Sequence, residues 1–149
     1  MVITSVGTDA KTRATLRTTL QDKRFAELRE GVWMRPDNVA VDLGDEVAER
    51  VRILVARDED PVGLAGQLWD LSGWASIGSD LVTGMAEADD VPGRFVIAAA
   101  MVRHLLTDPV LPDALLPADW PGAELRSAYN DFAAELVARR DDVELMEAT

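Results

Sequence analysis

The spacing of apolar and polar positions near the start of the chain predicts a strand followed by a helix. Met1–Val6 is rich in β-branched residues and ends at a glycine, which is typical of a strand. Residues 10–22 carry a thin stripe of apolar side chains at helical spacing, which is typical of a helix that packs on a sheet. Thr8 or Asp9 stands where that helix needs an N-cap.

The next segment has the pattern of a β-hairpin. Phe25–Leu28 and Val32–Met34 alternate apolar and polar positions on either side of Gly31. A glycine there can adopt the positive φ that a tight turn requires. Pro36 is predicted to end the second strand, because proline has no N–H to donate to a sheet.

A short second helix and a fourth strand complete the first predicted domain. Asp42 or Gly44-Asp45 opens the helix, and the apolar run Val51–Ala56 predicts a buried strand. The order β-α-β-β-α-β over residues 1–57 is that of the ferredoxin-like fold. This fold has a four-stranded antiparallel sheet with two helices on one face.

Residues 58–149 predict a second domain that is α-helical. Asp60 and Pro61 suit the N-cap and the first position of a helix, and Gly73 is predicted to break or kink the pattern that follows. Phe95–Leu106 is apolar nearly all round, which is typical of a helix at the centre of a bundle. The predicted fold class is therefore α+β, with a ferredoxin-like βαββαβ subdomain followed by an α-helical C-terminal subdomain.

A proline-rich segment interrupts the helical domain between residues 107 and 122. Four of the seven prolines of the chain lie in it. Because proline fixes φ and removes a backbone donor, the segment predicts an ordered, extended connection between helices. Leu111, Leu115, Leu116 and Trp120 are predicted to hold the connection against the helical bundle.

The composition excludes several classes of function. The 149 residues include 27 acidic and 15 basic side chains, for a net charge of −12, with no cysteine and one histidine. Phosphate backbones and anionic membranes repel so acidic a chain, and no apolar run is long enough to span a bilayer. Without cysteine, disulfides and thiolate metal sites are excluded, and the cytoplasm is the expected location.

The charge is unevenly distributed along the chain. Residues 1–36 carry seven basic and four acidic side chains, whereas residues 37–149 carry 8 basic and 23 acidic ones. Two differently solvated faces would account for this division. The alternative is that the basic segment attracts an anionic ligand or an acidic partner surface.

The proline-rich segment is also where the sequence resembles a known family. Asp108–Gly122 combines a leucine pair flanked by prolines with Trp-Pro-Gly, and it resembles the C-terminal domain of the PaaX family, bacterial repressors of phenylacetate degradation. Phe25–Pro36 is similar to a hairpin in the middle domain of that family, although Lys23-Arg24 replaces the usual glycine before the aromatic residue. Leu54–Leu71 carries a third similarity.

The resemblance implies a transcriptional regulator. Members of the family combine an N-terminal winged helix, a ferredoxin-like middle domain and a helical C-terminal domain, and their effector is phenylacetyl-coenzyme A. Residues 1–57 would be the middle domain and residues 58–149 the C-terminal domain. We therefore expect that the winged helix is absent from this chain and that DNA is bound only through it. The expected partners are an acyl-CoA effector and a second copy in a homodimer, and no membrane.

Seven side chains are candidates for contact with the effector. A pocket for an aryl-acyl group is apolar with few polar groups, and a coenzyme A phosphate needs a cation. The alternatives are core packing for the tryptophans, ion pairing for the arginines and a helix-end role for His104. The candidates are Trp33, Arg35, Arg57, Trp69, Arg103, His104 and Trp120.

An enzyme is not predicted. The sequence has no nucleophile elbow, phosphate-binding loop or dinucleotide fingerprint, so no catalytic residue, metal ligand or cofactor is assigned. The ferredoxin-like middle domain resembles that of small CRISPR-associated nucleases, in which a carboxylate would bind metal at the end of the first strand, but Asp9 is better placed as a helix cap. Two alternatives to an effector-sensing function remain: a ligand-free oligomerisation or interaction module and, less favoured, a metal-dependent nuclease.

Overall fold

A four-stranded antiparallel sheet organises the first part of the chain in the computed structural model, which describes residues 1–5 and 9–147, with side chains at 1–3 and 9–140. The strands lie in the order β2-β3-β1-β4, the arrangement of the ferredoxin-like fold. The α+β class is thereby confirmed. The elements of this part are β1 (Val2–Ser5), α1 (Ala10–Asp22), β2 (Ala26–Arg29), β3 (Val32–Met34), α2 (Asp45–Ala48) and β4 (Val51–Leu54).

Helix α1 begins and packs as its sequence predicts. The Asp9 side chain caps it by accepting hydrogen bonds from two backbone N–H groups of the first turn, so this carboxylate acts as the predicted cap. Leu16 and Leu20, four residues apart, are buried against the sheet. They meet Ile3 and Trp33, which are direct cross-strand partners and therefore point to the same face. The alternative cap Thr8 lies outside the described residues.

Strand β4 differs from its prediction. The strand is shorter than Val51–Ala56, and the prediction that it is buried is wrong. Ile53 and Leu54 are each 48% exposed, and Val55 is 81% exposed. The physical reason is that β4 is an edge strand and that α2, with four residues, covers little of it.

The chain forms two compact units. The first consists of Met1–Asp70 together with Pro109–Leu116, and the second consists of Leu71–Asp108 and the chain from Pro117 onward. The boundary expected after residue 57 lies inside the first unit.

The first unit also contains a helix that the sequence pattern places in the helical domain. Helix α3 (Pro61–Leu68) begins at Asp60, whose side chain accepts a hydrogen bond from the Gly63 N–H at 2.9 Å. It packs against β2 and against the short 3-10 helix Asp113–Leu115. Leu115 therefore holds the proline-rich segment to the first unit, which corrects the expectation that it packs on the helical bundle.

The second unit consists of three helices, α4 (Leu71–Glu87), α5 (Val91–Leu105) and α6 (Gly122–Glu147). Gly73 lies inside α4, so the predicted break is wrong: the helices separate just before it, where Trp69 is extended. The core residues of this unit are Trp74, Met85, Ala98, Met101, Leu125 and Phe132.

Helix α5 is not surrounded by other helices as its composition predicts. Ala98 and Met101 are buried on one side. Phe95, Val96 and Leu106 on another side are 60%, 66% and 62% exposed. The reason is that, within the described part of this unit, α5 packs against two neighbours, α4 and α6, which leave one face uncovered.

An ion-pair network links α5 to α6 and predicts a pH dependence. The Glu135 carboxylate accepts hydrogen bonds of 2.6 Å from Arg94 and from Arg139. The bond from Arg94, and then that from Arg139, lowers the pKa of Glu135 below its ordinary value of 4.5. A lowered folded-state pKa contributes stability that is present above pH 4.5 and is lost as the pH falls through the folded-state value.

We expect Glu135→Gln to remove this contribution. Thermal unfolding is measured from neutral to acid pH for the natural chain and for the variant. The fall in melting temperature below pH 4.5 becomes shallower in Glu135→Gln than in the natural chain. Glu87→Gln, at the exposed end of α4, is the matched control and should leave the slope unchanged. If the melting temperature fell equally steeply with pH in Glu135→Gln and in the natural chain, Glu135 would not be the source of this pH dependence.

Candidate ligand site

A cavity of about 750 Å³ lies within the first unit, between the sheet and α3. Val2 and Met34, which are cross-strand partners, form part of its floor. Because side chains alternate along a strand, these two residues face away from the core that Ile3 and Trp33 enter. The cavity therefore occupies the sheet face opposite α1, and its volume is within the usual range for ligand pockets.

Helix α3 supplies the apolar wall of the cavity. Leu64 and Leu68, four residues apart, lie on one helical face, with the buried Ala65 beside them. Trp69, the first residue after the helix, adds a half-buried aromatic ring. Leu115, from the proline-rich segment, lines the cavity as well.

Arg57 is the available cation at the rim. It follows β4, it is exposed, and it forms no hydrogen bond or ion pair with any described residue. The neighbouring Asp58 also lines the cavity, but one of its carboxylate oxygens accepts a hydrogen bond of 2.8 Å from the Asp60 N–H. An anionic ligand group could thus pair with Arg57 without breaking an existing contact.

Arg35 lines the same cavity but is already engaged. It is only 7% exposed, and burial lowers its pKa below the ordinary value, although Asp37 opposes the shift. Its Nη1 donates to the Lys23 carbonyl oxygen at 2.8 Å and its Nε donates to the Pro36 carbonyl oxygen at 3.2 Å. The guanidinium also lies 5.7 Å from the centre of the Phe25 ring. Arg35 therefore joins the hairpin to the end of α1.

Trp33 lies away from the cavity. Its side chain is 3% exposed and packs in the core with Leu16 and Leu20. The guanidinium of Arg17 lies 5.6 Å from the ring centre. Of the seven candidates, the structure thus brings Arg35, Arg57 and Trp69 together at one cavity, whereas Trp33 is a core residue.

The other three candidates belong to the second unit. His104 and Trp120 both stack on Trp74, at ring-centre distances of 4.3 Å and 4.2 Å. His104 Nε2 lies 2.9 Å from the Trp74 carbonyl oxygen, and because a carbonyl only accepts, this nitrogen carries the proton. Arg103 is exposed on α5. The two aromatic side chains thus contribute to a packed cluster centred on Trp74.

Sequence reasoning missed the aliphatic wall of the cavity. The spacing of Leu64 and Leu68 predicts one apolar helix face, and that signal could have identified them. No local signal connects Leu115 to this helix, since the two segments are far apart in the chain. A metal centre has no support in the part of the chain that the structure describes, where no three His, Asp or Glu side chains cluster. None of the described helices has the length and apolar character that crossing a membrane requires.

Comparison with known proteins gives two findings. Residues 83–143 match the family model of the PaaX-like protein C-terminal domain. The solved structure of the uncharacterized protein Rv0674 from Mycobacterium tuberculosis is similar, with 65% sequence identity and a TM-score of 0.88. That similarity covers 96% of this chain and 62% of the other, so this chain spans less than two thirds of its relative. No curated protein matches the chain.

Proposed function

We propose that this chain, which carries a PaaX-like C-terminal domain at residues 83–143, is the effector-sensing and dimerising portion of a PaaX-type transcriptional regulator. The family match supports a regulatory function rather than an enzymatic one. The observation that carries the sensing part of the proposal is the cavity of about 750 Å³, which has apolar walls and, at its rim, an arginine with no partner among the described residues.

The chemistry of the cavity favours an aryl-acyl-CoA such as phenylacetyl-CoA. Leu64, Leu68 and Trp69 offer an apolar wall to an aryl group, and an aromatic ring buried there would gain most of its binding energy from the area removed from water. Arg57 at the rim could pair with a phosphate of coenzyme A. Because the chain has a net charge of −12, its surface as a whole repels an anion. A local cation such as Arg57 is needed to offset that repulsion.

Calorimetric titration of the whole chain with phenylacetyl-CoA tests the proposal. We expect one binding site per chain, with Trp69→Ala and Arg57→Ala each weakening the affinity by about tenfold, since each removes an apolar or charged contact of ordinary strength. Coenzyme A without the aryl group should bind more weakly, because it leaves the apolar wall unfilled.

Arg103→Ala is the matched control, since Arg103 is an exposed arginine of the second unit. It should leave the affinity unchanged. A loss of affinity in Arg103→Ala with none in Arg57→Ala would place the ligand in the second unit. The absence of binding heat from a folded chain would contradict the effector proposal.

A second candidate function is an oligomerisation module that binds no ligand. The exposed apolar side chains of β4 and α5 favour it, because a chain that leaves such groups in water usually covers them with a partner. Two measurements separate the candidate functions. Calorimetry tests whether the chain binds the effector, and the oligomeric state tests whether it serves as an oligomerisation module.

A further inference from the structure

The outer edge of β4 is open to pairing. Within the described residues β4 pairs only with β1, so the backbone N–H and C=O groups on its other side have no strand partner. Proteins usually protect such an edge with a proline, a bulge or a covering element. Residues 50–58 contain no proline, and the register of β4 on β1 has no bulge.

The same edge carries exposed apolar side chains on both faces of the sheet. Ile53 pairs with Ile3 and lies on the α1 face, whereas Leu54 pairs with Val2 and lies on the cavity face. Both are 48% exposed, and Val55, just beyond the strand, is 81% exposed. An edge whose outer backbone groups have no strand partner in the described part of the chain, and which carries three consecutive exposed apolar residues, is suited to pairing with another strand.

The charges along this edge are arranged so that two antiparallel copies of it place an arginine of each copy opposite a carboxylate of the other. We propose that β4 pairs antiparallel with β4 of a second copy of this chain, centred on Leu54. Ile53 then lies opposite Val55 of the second copy. Arg50, which also forms an ion pair of 3.5 Å with Glu46 of its own chain, lies opposite Asp58 of the second copy, so opposite charges flank an apolar centre on both sides. Arg52 is a diagonal neighbour of the same aspartate.

Neighbouring registers are less favourable. A register centred on Ile53 would place Leu54 opposite Arg52 of the second copy. A register centred on Val55 would place Ile53 opposite Arg57 of the second copy. The centre on Leu54 gives all three exposed apolar residues an apolar partner. Residues 49–59 contain three arginines and three carboxylates, so this segment adds no net charge to the repulsion that the −12 net charge of the chain causes. In the same register Glu49 lies opposite Glu59 of the second copy, a like-charge pair at each outer end of the segment.

The pairing would also bring the second copy to the rim of the cavity. Ala56, Arg57 and Asp58 line the cavity and belong to the proposed pairing segment. Arg52 of the second copy would lie opposite Ala56 on the cavity face, so the rim would carry cations from both copies. This inference deepens the dimerising part of the proposed function and identifies its surface.

The oligomeric state of the whole chain tests the inference. Sedimentation velocity over a series of concentrations should show a mass of twice 16.2 kDa. Leu54→Lys should raise the dissociation constant by about a hundredfold or more, because it sets two lysines against each other at the centre of the pair. Circular dichroism checks that each variant folds.

A charge exchange provides the sharper test. Arg50→Asp and Asp58→Arg should each raise the dissociation constant by about tenfold, because each creates like-charge pairs at both ends of the interface. The double variant Arg50→Asp/Asp58→Arg restores opposite charges and should return the constant to within about threefold of the natural chain. Such a rescue would support direct pairing of these two positions in the proposed register.

Phe95→Lys, on the exposed face of α5, is the matched control and should not change the dissociation constant. If Phe95→Lys dissociated the dimer and Leu54→Lys did not, the proposal that the dimer forms through β4 would be overturned, whereas the dimerising function would still hold. A chain that stays monomeric at the highest concentration would overturn both. Lack of phenylacetyl-CoA binding by an intact dimer would contradict only the effector proposal.

Discussion

Replacement of Trp74 by alanine is expected to destabilise the second unit by about 3–5 kcal/mol, the usual cost of truncating a buried large aromatic side chain. Trp74 is 8% exposed and belongs to the core of that unit. Its ring carries the stacked rings of His104 and Trp120, and its indole N–H donates to the Thr107 hydroxyl at 3.1 Å. The alanine variant leaves a cavity and removes the surface on which both rings pack.

Urea unfolding followed by circular dichroism measures this loss, and hydrogen exchange locates it in α4, α5 and α6. Trp74→Phe is the matched control. It keeps an aromatic ring in the core but loses the N–H bond to Thr107, and we expect it to cost clearly less than alanine, since a hydrogen bond contributes about 1 kcal/mol. If alanine and phenylalanine were equally well tolerated, the aromatic cluster would not be the centre of this core.

Replacement of Trp33 by alanine should destabilise the first unit by a similar amount, about 3–5 kcal/mol. Trp33 is 3% exposed and packs with Ile3 and Leu20, both fully buried. The variant should lose stability in urea unfolding, with faster hydrogen exchange in α1 and in the strands. Any ligand affinity that remains in the folded fraction should be unchanged, because Trp33 does not line the cavity.

Trp69→Ala is the control that separates packing from ligand binding in the same unit. Trp69 is half-buried at the cavity, so its truncation should cost little stability but weaken phenylacetyl-CoA binding. The two tryptophans should therefore show opposite patterns. Retained stability with lost binding in Trp33→Ala would assign Trp33 to the ligand site and contradict its core position.

Local chemistry was enough to predict where helices α1 and α3 begin. Asp9 and Asp60 each accept a hydrogen bond from a backbone N–H of the first helical turn. That contact spans three residues or fewer, so the sequence alone contains it. Gly31 adopts a φ of 74° in the hairpin for an equally local reason, because glycine has no Cβ to oppose that conformation.

The sequence alone predicts which types of residue suit the candidate site, but not which individual residues meet at the cavity. Arginine and tryptophan suit an anionic aromatic ligand wherever they occur, which is why Arg57 and Trp33 were equally good candidates in the sequence. Strand alternation sends Trp33 to the core face, and the chain after β4 brings Arg57 to the cavity. Leu115 reaches the same cavity from a distant segment, which no local pattern encodes.

The sequence by itself therefore determined the order of strands and helices, their caps and turns, and the apolar positions available for burial. Only the tertiary structure decided which of those apolar positions are covered. Val51–Leu54 and Phe95–Leu106 have the composition of buried elements, yet one is a sheet edge and the other has an open face. The physical reason is that secondary structure depends on neighbours in sequence, whereas burial depends on how many elements surround each one in space.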